Sequence, residues 1–189
     1  MELNMIKKEK IHSLSNLVSE RLTLDLMTKD DWPHFKYLQT NPQLMTFIRP
    51  ILPEPQLREM FEQRTAPILW AEQRWFAFII RDLETSTFVG SIAFKINSTT
   101  NACAEVGYLA DHGFQGKGYM TESLNCVIRF LFNELNVKKV TAQCATENIA
   151  SWKVMEKVGM QREGELIANQ FLNGVWHNSY CYGLINSSY

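Results

Sequence analysis

Glu105-Val106-Gly107-Tyr108-Leu109-Ala110-Asp111-His112-Gly113-Phe114-Gln115-Gly116-Lys117-Gly118-Tyr119-Met120-Thr121-Glu122 is the stretch whose reading decides the fold. An apolar strand pattern runs through Gly116-Lys117-Gly118 directly into an amphipathic helix. Met120, Leu124, Val127, Ile128, Leu131 and Leu135 recur at three- and four-residue spacing, which makes one buried stripe. Two glycines let the backbone come close to a ligand. The first N–H groups of a helix have no partner inside it, so the junction suits a phosphate. A Gly-x-Gly by itself carries less, because a tight strand-to-helix turn with no ligand explains it equally well.

The sequence downstream adds weight. A second apolar strand over 140–144 is followed by Glu147-Asn148-Ile149-Ala150-Ser151-Trp152-Lys153-Val154-Met155-Glu156-Lys157-Val158-Gly159-Met160, a short helix closing at Gly159. Strand, Gly-x-Gly helix, strand, then Asn-x-x-Ser with a helix ending in Lys-x-Gly-hydrophobic, resembles the GNAT N-acetyltransferases. The flanks Glu20-Arg21-Leu22-Thr23-Leu24, Ala104-Glu105-Val106-Gly107-Tyr108 and Phe171-Leu172-Asn173-Gly174-Val175-Trp176-His177 resemble the RimJ/RimL branch, which acetylates protein N-termini. The resemblance covers about residues 20–185. It implies an α/β (α+β) fold with a mixed, mostly antiparallel central sheet of six or seven strands. The sheet is splayed between its fourth and fifth strands and has helices on both faces. One domain then spans 1–189, with 1–16 as a peripheral N-terminal extension.

Composition agrees with one domain. A chain of 189 residues that is 46% hydrophobic buries a sizeable core without staples. Nineteen basic against 20 acidic residues leave a net charge of −1, so no general pull toward nucleic acid or a membrane surface is expected. Phosphate recognition must be local. Cys103, Cys126, Cys144 and Cys181 lack Cys-x-x-Cys spacing and read as reduced thiols rather than metal ligands or disulfide partners. The first residues lack the apolar segment of a signal peptide, and no run approaches the ~18 apolar residues of a membrane span. The expected location is the cytoplasm.

Read coarsely, residues 17–27 form a strand with Leu22, Leu24 and Leu26 on one face. Thr28 caps a helix opening at Asp30-Asp31, and a longer helix runs from Pro53 to about Gln73, broken at Pro67. Residues 75–81 and 88–97 are adjacent strands joined by a polar turn over 82–87, and 102–110 is a third. Trp75-Phe76-Ala77-Phe78-Ile79-Ile80 is apolar at every position, as expected for a strand covered on both faces. Strands over 164–172 and 175–185 meet at Asn173-Gly174, a strong hairpin signal.

The resemblance assigns roles residue by residue. Acetyl-CoA is the implied co-substrate, with no metal. Its pantetheine amides pair along the edge Gly107-Tyr108-Leu109-Ala110 as a peptide adds to a sheet. Backbone amides of Gln115, Gly116, Lys117, Gly118 and Tyr119 hold the diphosphate, with Met120 in the first helical turn and Lys117 as an optional point charge. The family's longer pattern has Gln or Arg three residues before the first glycine, where this chain has Gly113. That removes one polar anchor and leaves the backbone cradle. Asn148 is either a simple helix N-cap or a further bond to the pantetheine arm.

Transfer to an amine needs a base and a proton for the departing thiolate. An α-amine titrates near ~7.7–8.0, so a modest base suffices. Glu105, on a strand among apolar neighbours, is the candidate base, against the plainer reading of a strand carboxylate paired with a Lys. Many family members use a helix Tyr as the acid; the aligned residue here is Met155, which has no proton to give. Ser151, one turn earlier, is the substitute the branch points to, against the plainer reading of a first-turn capping Ser. Trp32, Phe47, Trp70, Trp75, Tyr119, Phe171 and Trp176 are candidates for an acceptor cleft, although aromatics in a chain 12% aromatic are more often core or homodimer contacts. His34, His112 and His177 lack metal-site spacing.

The function that follows is acetyl-CoA-dependent N-acetylation of a protein N-terminus by direct transfer in a ternary complex, most like the ribosomal-protein serine acetyltransferases. Two alternatives stand beside it. One is a small-amine acceptor, an antibiotic or polyamine; the other is a non-catalytic acyl-CoA-binding module.

Overall fold

A computed structural model describes residues 14–66 and 73–188. Eight strands form one sheet: β1 (Asn16–Val18), β2 (Leu22–Leu26), β3 (Trp75–Asp82), β4 (Phe88–Ser98), β5 (Cys103–Ala110), β6 (Lys139–Ala145), β7 (Gln161–Leu172) and β8 (Val175–Ile185). Their order is β1-β2-β3-β4-β5-β6-β8-β7. Every pairing is antiparallel except β5–β6, which is parallel and therefore needs a crossover helix. The helices are α1 (Trp32–Thr40), α2 (Pro42–Met45), α3 (Glu54–Thr65), α4 (Tyr119–Asn133) and α5 (Ile149–Lys157).

The period-two alternation of β3 separates two cores. Phe76, Phe78 and Ile80 face one side with Leu22, Leu24 and Phe94, where α4 lays down Leu124, Val127 and Leu131. Ala77 and Ile79 face the other side with Phe35, Leu57 and Phe61 of α1 and α3. Helices thus cover both faces, as the all-apolar strand pattern implies.

Three expectations need correction. The sheet has eight strands rather than six or seven, because the stretch expected as one strand over 17–27 is a hairpin, β1 and β2. Ser19 N–H bonds back to Leu22 O at 2.9 Å and Arg21 N–H is drawn out of the ladder to Glu122 Oε1 at 2.8 Å, which breaks the strand at 19–21. The helix expected from Pro53 to about Gln73 ends at Thr65. Ala66 is already extended with ψ 154°, the conformation a following proline imposes. Residues 67–72 of that expected helix, Pro67 included, lie outside the described residues, and Gln73 is a turn residue with φ 65°. The helix α2 was not expected from the sequence. Asn41 starts it by accepting the N–H groups of Gln43 and Leu44.

At the far edge, Asn173 and Gly174 both have positive φ, 51° and 85°, as a type I′ hairpin turn requires. No helix among the described residues is long and apolar enough to cross a membrane.

Candidate active site

The site is where the sheet fails to zip. Strands β5 and β6 pair at only three positions, Cys103 with Lys139, Ala104 with Val140 and Glu105 with Thr141. Beyond them β5 continues against β4 as far as Ala110, and β6 continues against β8 as far as Ala145. The edge of β5 facing the gap, residues 106–110, therefore has no strand partner. Backbone donors and acceptors rarely stay unpaired, so such an edge suits an amide-bearing ligand.

At the carboxyl end of β5 the chain turns through Asp111, which accepts Gly113 N–H at 2.8 Å, into the Gly-Lys-Gly loop. Gly116 and Gly118 have φ of 73° and 83°, a left-handed conformation that L side chains rarely adopt. Helix α4 opens on Gly118 with no side-chain cap. Among the described residues the N–H groups of Gly116, Lys117, Gly118, Tyr119, Met120 and Thr121 donate to no protein acceptor. Six donors and a helix dipole thus converge on one loop, which is what an anion needs. Gln115 Nε2 closes the loop onto Ala110 O at 3.4 Å. The Lys117 ammonium is folded back on Gly113 O at 2.7 Å, so the cradle is backbone first.

A clamp that the sequence reading missed fixes this loop. Glu122, in the first turn of α4, accepts from Ser19 Oγ and from Arg21 N–H at 2.8 Å each, and pairs with the Arg21 guanidinium at 2.7 Å. Burial works against ionisation of Glu122, but these three donors and the Arg21 charge outweigh it and hold the carboxyl below its ordinary range. The guanidinium stacks over Tyr119 at 4.5 Å. Glu122 carried a signal, an acid in a helix first turn, yet its partners lie more than a hundred positions away.

Across the gap, α5 begins at Asn148, whose side-chain oxygen accepts Ser151 N–H at 3.2 Å. The capping role thus belongs to Asn148, and the Ser151 hydroxyl is left for other work. It donates to the Tyr108 hydroxyl at 3.3 Å, and Tyr108 in turn donates to Ser151 O at 2.9 Å. Tyr108, expected only as backbone edge, thus links β5 to α5 across the gap. Burial pushes its phenol well above the ordinary range, with a smaller opposing pull from Ser151. Burial likewise pushes the nearby Cys144 thiol up to about 11, so it stays protonated and is a poor nucleophile. Met155, which the resemblance aligns with the acid position, is buried in the core.

Glu105 stands at the last paired position before the gap. Its Oε2 takes both of its contacts, Lys95 Nζ at 3.2 Å and Asn97 Nδ2 at 3.1 Å. The plainer reading of a Lys-paired strand carboxylate is therefore part of the truth. Its Oε1 has no protein partner among the described residues. Lys95 also lies 4.9 Å from the Trp75 ring.

The model of the acetyltransferase (GNAT) domain family matches residues 21–161. The chain belongs to the GNAT acetyltransferase family. It is 26% identical over 178 residues to the uncharacterized N-acetyltransferase p20 of Bacillus licheniformis, covering 93% of this chain and 99% of that protein. It is also 26% identical over 175 residues to the ribosomal-protein-serine acetyltransferase of Escherichia coli strain K12, covering 90% and 96% respectively. Among solved structures, spermidine N-acetyltransferase from Vibrio cholerae in complex with CoA and spermine superposes with a TM-score of 0.77 at 21% identity, over 88% of this chain and 96% of that one. That last likeness is one of fold.

GNAT enzymes draw their acetyl group from acetyl-CoA, and this chain's residues fit that co-substrate. The uncapped Gly116–Gly118 turn suits its diphosphate and the unpaired edge of β5 suits its amide-bearing arm. Membership in an enzyme family also sets aside the reading of a coenzyme-binding module without catalysis.

The aromatic candidates scatter. Trp32 packs on Phe35 and Phe61 in the core below α1 and α3. Tyr119 belongs to the phosphate loop, packed on Phe114 with its hydroxyl 3.2 Å from Asp82. Phe171 and Trp176 are 56% and 62% exposed at the β7–β8 turn and pack on each other. Phe47 meets His177 edge-on, and His177 pairs with Glu147 at 3.1 Å, just before α5. Trp75 is the candidate beside the gap strand, its ring 4.9 Å from Lys95 and within 3.6 Å of where a Cβ at Gly107 would stand. Trp70 lies outside the described residues. Among the described residues no group of three or more His, Cys, Asp and Glu side chains is placed to hold a metal.

Proposed function

We propose that this enzyme acetylates the N-terminal amine of a protein, in the manner of a ribosomal-protein-serine acetyltransferase, by direct transfer from acetyl-CoA in a ternary complex. The observation that carries the reading is the pair of groups bracketing the β5–β6 gap, Glu105 where the strands part and the Ser151–Tyr108 hydroxyls on the opposite bank. Bound acetyl-CoA would supply an activated thioester. Oε1 of Glu105 accepts the amine proton, directly or through water, as the new C–N bond forms. As the C–S bond breaks, the Ser151 hydroxyl gives its proton to the sulfur and recovers one from solvent, while the Tyr108 hydroxyl, which accepts the Ser151 bond, orients it. The protonated Cys144 thiol argues against an acyl-enzyme route, since covalent transfer would need its thiolate. Asn148 adds a polar group for the pantetheine arm beside its capping bond.

A small amine is the competing acceptor, motivated by the fold shared with a polyamine acetyltransferase. A polyamine requires carboxylates free to meet its several charges. Here Glu105 has one oxygen committed to Lys95 and Asn97 and a single oxygen left for one amine, and Glu147 hydrogen-bonds His177. The full-length match to a serine acetyltransferase supports a short uncharged N-terminal residue, Ser or Ala. The test compares initial rates, at equal concentration, on a Ser-initiated peptide, spermidine and an aminoglycoside. The peptide should be fastest. A small amine acetylated faster than every peptide tried replaces this reading with the second.

A further inference from the structure

At the end of the sheet away from the Gly-Lys-Gly loop lies a cavity of about 330 Å³, between the end of β2, the start of β3 and the last turn of α3. The loop touches β3 at its other end, where the Tyr119 hydroxyl meets Asp82. The length of β3, ~23 Å at ~3.3 Å per residue, separates the two places. Leu26, Met27 and Phe76 give the cavity an apolar wall, and Lys29, Arg64 and Arg74 bring three cations to it. Among the described residues no Asp or Glu lines it. Asp31, two positions after Lys29, is committed to Thr28 at 2.9 Å and to Arg81 at 2.8 Å. The cavity therefore carries positive charge with nothing in its described walls to balance it.

Arg64 separates this cavity from an ordinary basic surface. It stands in the last turn of α3, largely buried, and its guanidinium faces the Phe35 ring at 5.4 Å. Among the described residues it has no acid within ion-pair distance. A second cation stands close by. Arg49, from the loop after α2, rests its guanidinium on Gln39 and on Met60, which is one turn before Arg64 on the same face of α3. Burial, with the Arg49 charge as the lesser cause, pulls Arg64 down to about 10. Burial also lowers Arg49. A guanidinium stripped of water beside a like charge is costly to hold without a counter-ion, and groups perturbed in this way concentrate at binding sites.

We infer that this cavity binds a small multivalent anion, a phosphate ester or a polycarboxylate, with Arg64 and Lys29 as its charged ligands. The inference stands apart from the acetyl-transfer reading, because no residue of the cavity belongs to the β5–β6 gap or to the Gly-Lys-Gly loop. Three cations call for more than one negative charge, and a phosphate monoester carries about −1.5 to −2 near pH 7. The Arg64 fork suits two oxygens of one phosphate or carboxylate, and Lys29 adds a mobile point charge at the rim. Arg74, whose guanidinium bonds Ala66 O, contributes its field from the wall. The volume is at the lower end of the ~300–1,000 Å³ of small-molecule sites, and the apolar wall has room for a short carbon skeleton. A monovalent ion would match neither the charge nor the space.

The experiment titrates orthophosphate and citrate into the full chain by calorimetry, with CoA at saturation so that the Gly-Lys-Gly loop is already filled. Acetate at matched ionic strength is the monovalent control, and thermal unfolding midpoints are read in the same solutions. At least one multivalent anion should bind and raise the midpoint above its value in acetate, and the tighter of the two names the head group. Arg64→Gln should weaken that binding about tenfold or more, the size of a charge-assisted contact, and Lys29→Gln several-fold. Lys29 is exposed, so its variant carries the test should Arg64→Gln fail to fold. Neither substitution should change KM for acetyl-CoA. Stabilisation by both anions no greater than by acetate, with no heat of binding, overturns the inference, as does binding that both variants retain in full. Binding seen without CoA and lost with it also overturns the inference, since the anion then occupies the coenzyme loop.

Discussion

Helices α4 and α5 start at equivalent places, just past the carboxyl ends of two parallel strands, on opposite banks of one gap, yet their first turns are finished in opposite ways. Helix α4 opens on Gly118, left-handed and without a side-chain cap. Helix α5 opens on Asn148, which takes the Ser151 N–H. Both have the same dipole and the same orphan donors to satisfy. The end left uncapped keeps its donors for an anion. The capped end has used part of its set and contributes side chains instead, with Ser151 turned toward Tyr108. One helix start binds and the other reacts, together with Glu105 where β5 and β6 part.

The sharpest way to break that division is at the reacting side. Ser151→Ala and Glu105→Gln should each lower kcat by roughly 10²-fold or more, the usual range of a positioned proton transfer being ~10²–10⁴. Acetyl-CoA affinity by calorimetry should stay nearly intact. Near-wild-type turnover in both variants leaves positioning alone as the source of rate.

The binding side should respond in affinity rather than turnover. A Cβ at Gly116 would meet no protein atom within 4 Å, and one at Gly118 would meet only Arg21 Nη2 at 3.6 Å. The protein therefore has room for a side chain, and the obstacles are the positive φ, worth ~1–2 kcal/mol, and the approach of a ligand. Gly118→Val should weaken acetyl-CoA binding by roughly tenfold to a hundredfold, about 1.4–2.7 kcal/mol. Lys117→Ala should cost less, since its ammonium is spent on Gly113 O. Equal or reversed losses, read by titration, would remove the backbone cradle from the argument.

Between the two stands Tyr108, on the binding strand with its hydroxyl on the reacting helix. Tyr108→Phe removes one oxygen and keeps the ring. If the phenol orients Ser151, kcat should fall by several-fold to about tenfold, less than in Ser151→Ala, with little change in KM for acetyl-CoA. Tyr108→Phe added to Ser151→Ala should then cost almost nothing more, because both act through one hydroxyl pair. Additive losses would show that they act separately.

What the sequence disclosed follows from range. The Gly-Lys-Gly turn, the α4 stripe and the Asn173-Gly174 hairpin are local signals, and each lies where the local chemistry puts it. Glu105 and Ser151 were picked out by resemblance, and the structure sets them at the edge of the gap. The Lys95–Glu105 pair is a directly opposed position of the β4–β5 ladder, legible once that hairpin's register is known. The Arg21–Glu122 clamp and the Tyr108–Ser151 link were not legible, because neither partner has a local reason to point at the other. The break between β1 and β2 has the same origin, since a distant carboxylate takes the Arg21 N–H that a continuous strand would use.

The smallest expected effect tests whether the cap at α5 is structural alone. Asn148→Ala removes the acceptor of Ser151 N–H, and loss of an N-cap typically costs ~1 kcal/mol of stability within a range of ~0.5–2. Asn148→Asp keeps an acceptor oxygen and should recover most of that loss in a denaturant titration. The same pair divides the two roles of the residue in turnover. A residue that only caps gives kcat and KM for acetyl-CoA that track stability, restored by Asp. A residue whose amide N–H₂ also reaches the pantetheine arm leaves KM raised in Asn148→Asp, since the carboxylate accepts and cannot donate. Restoration of stability without restoration of KM is the expected outcome; full recovery of both would confine Asn148 to the helix end and leave the coenzyme arm to the unpaired edge of β5.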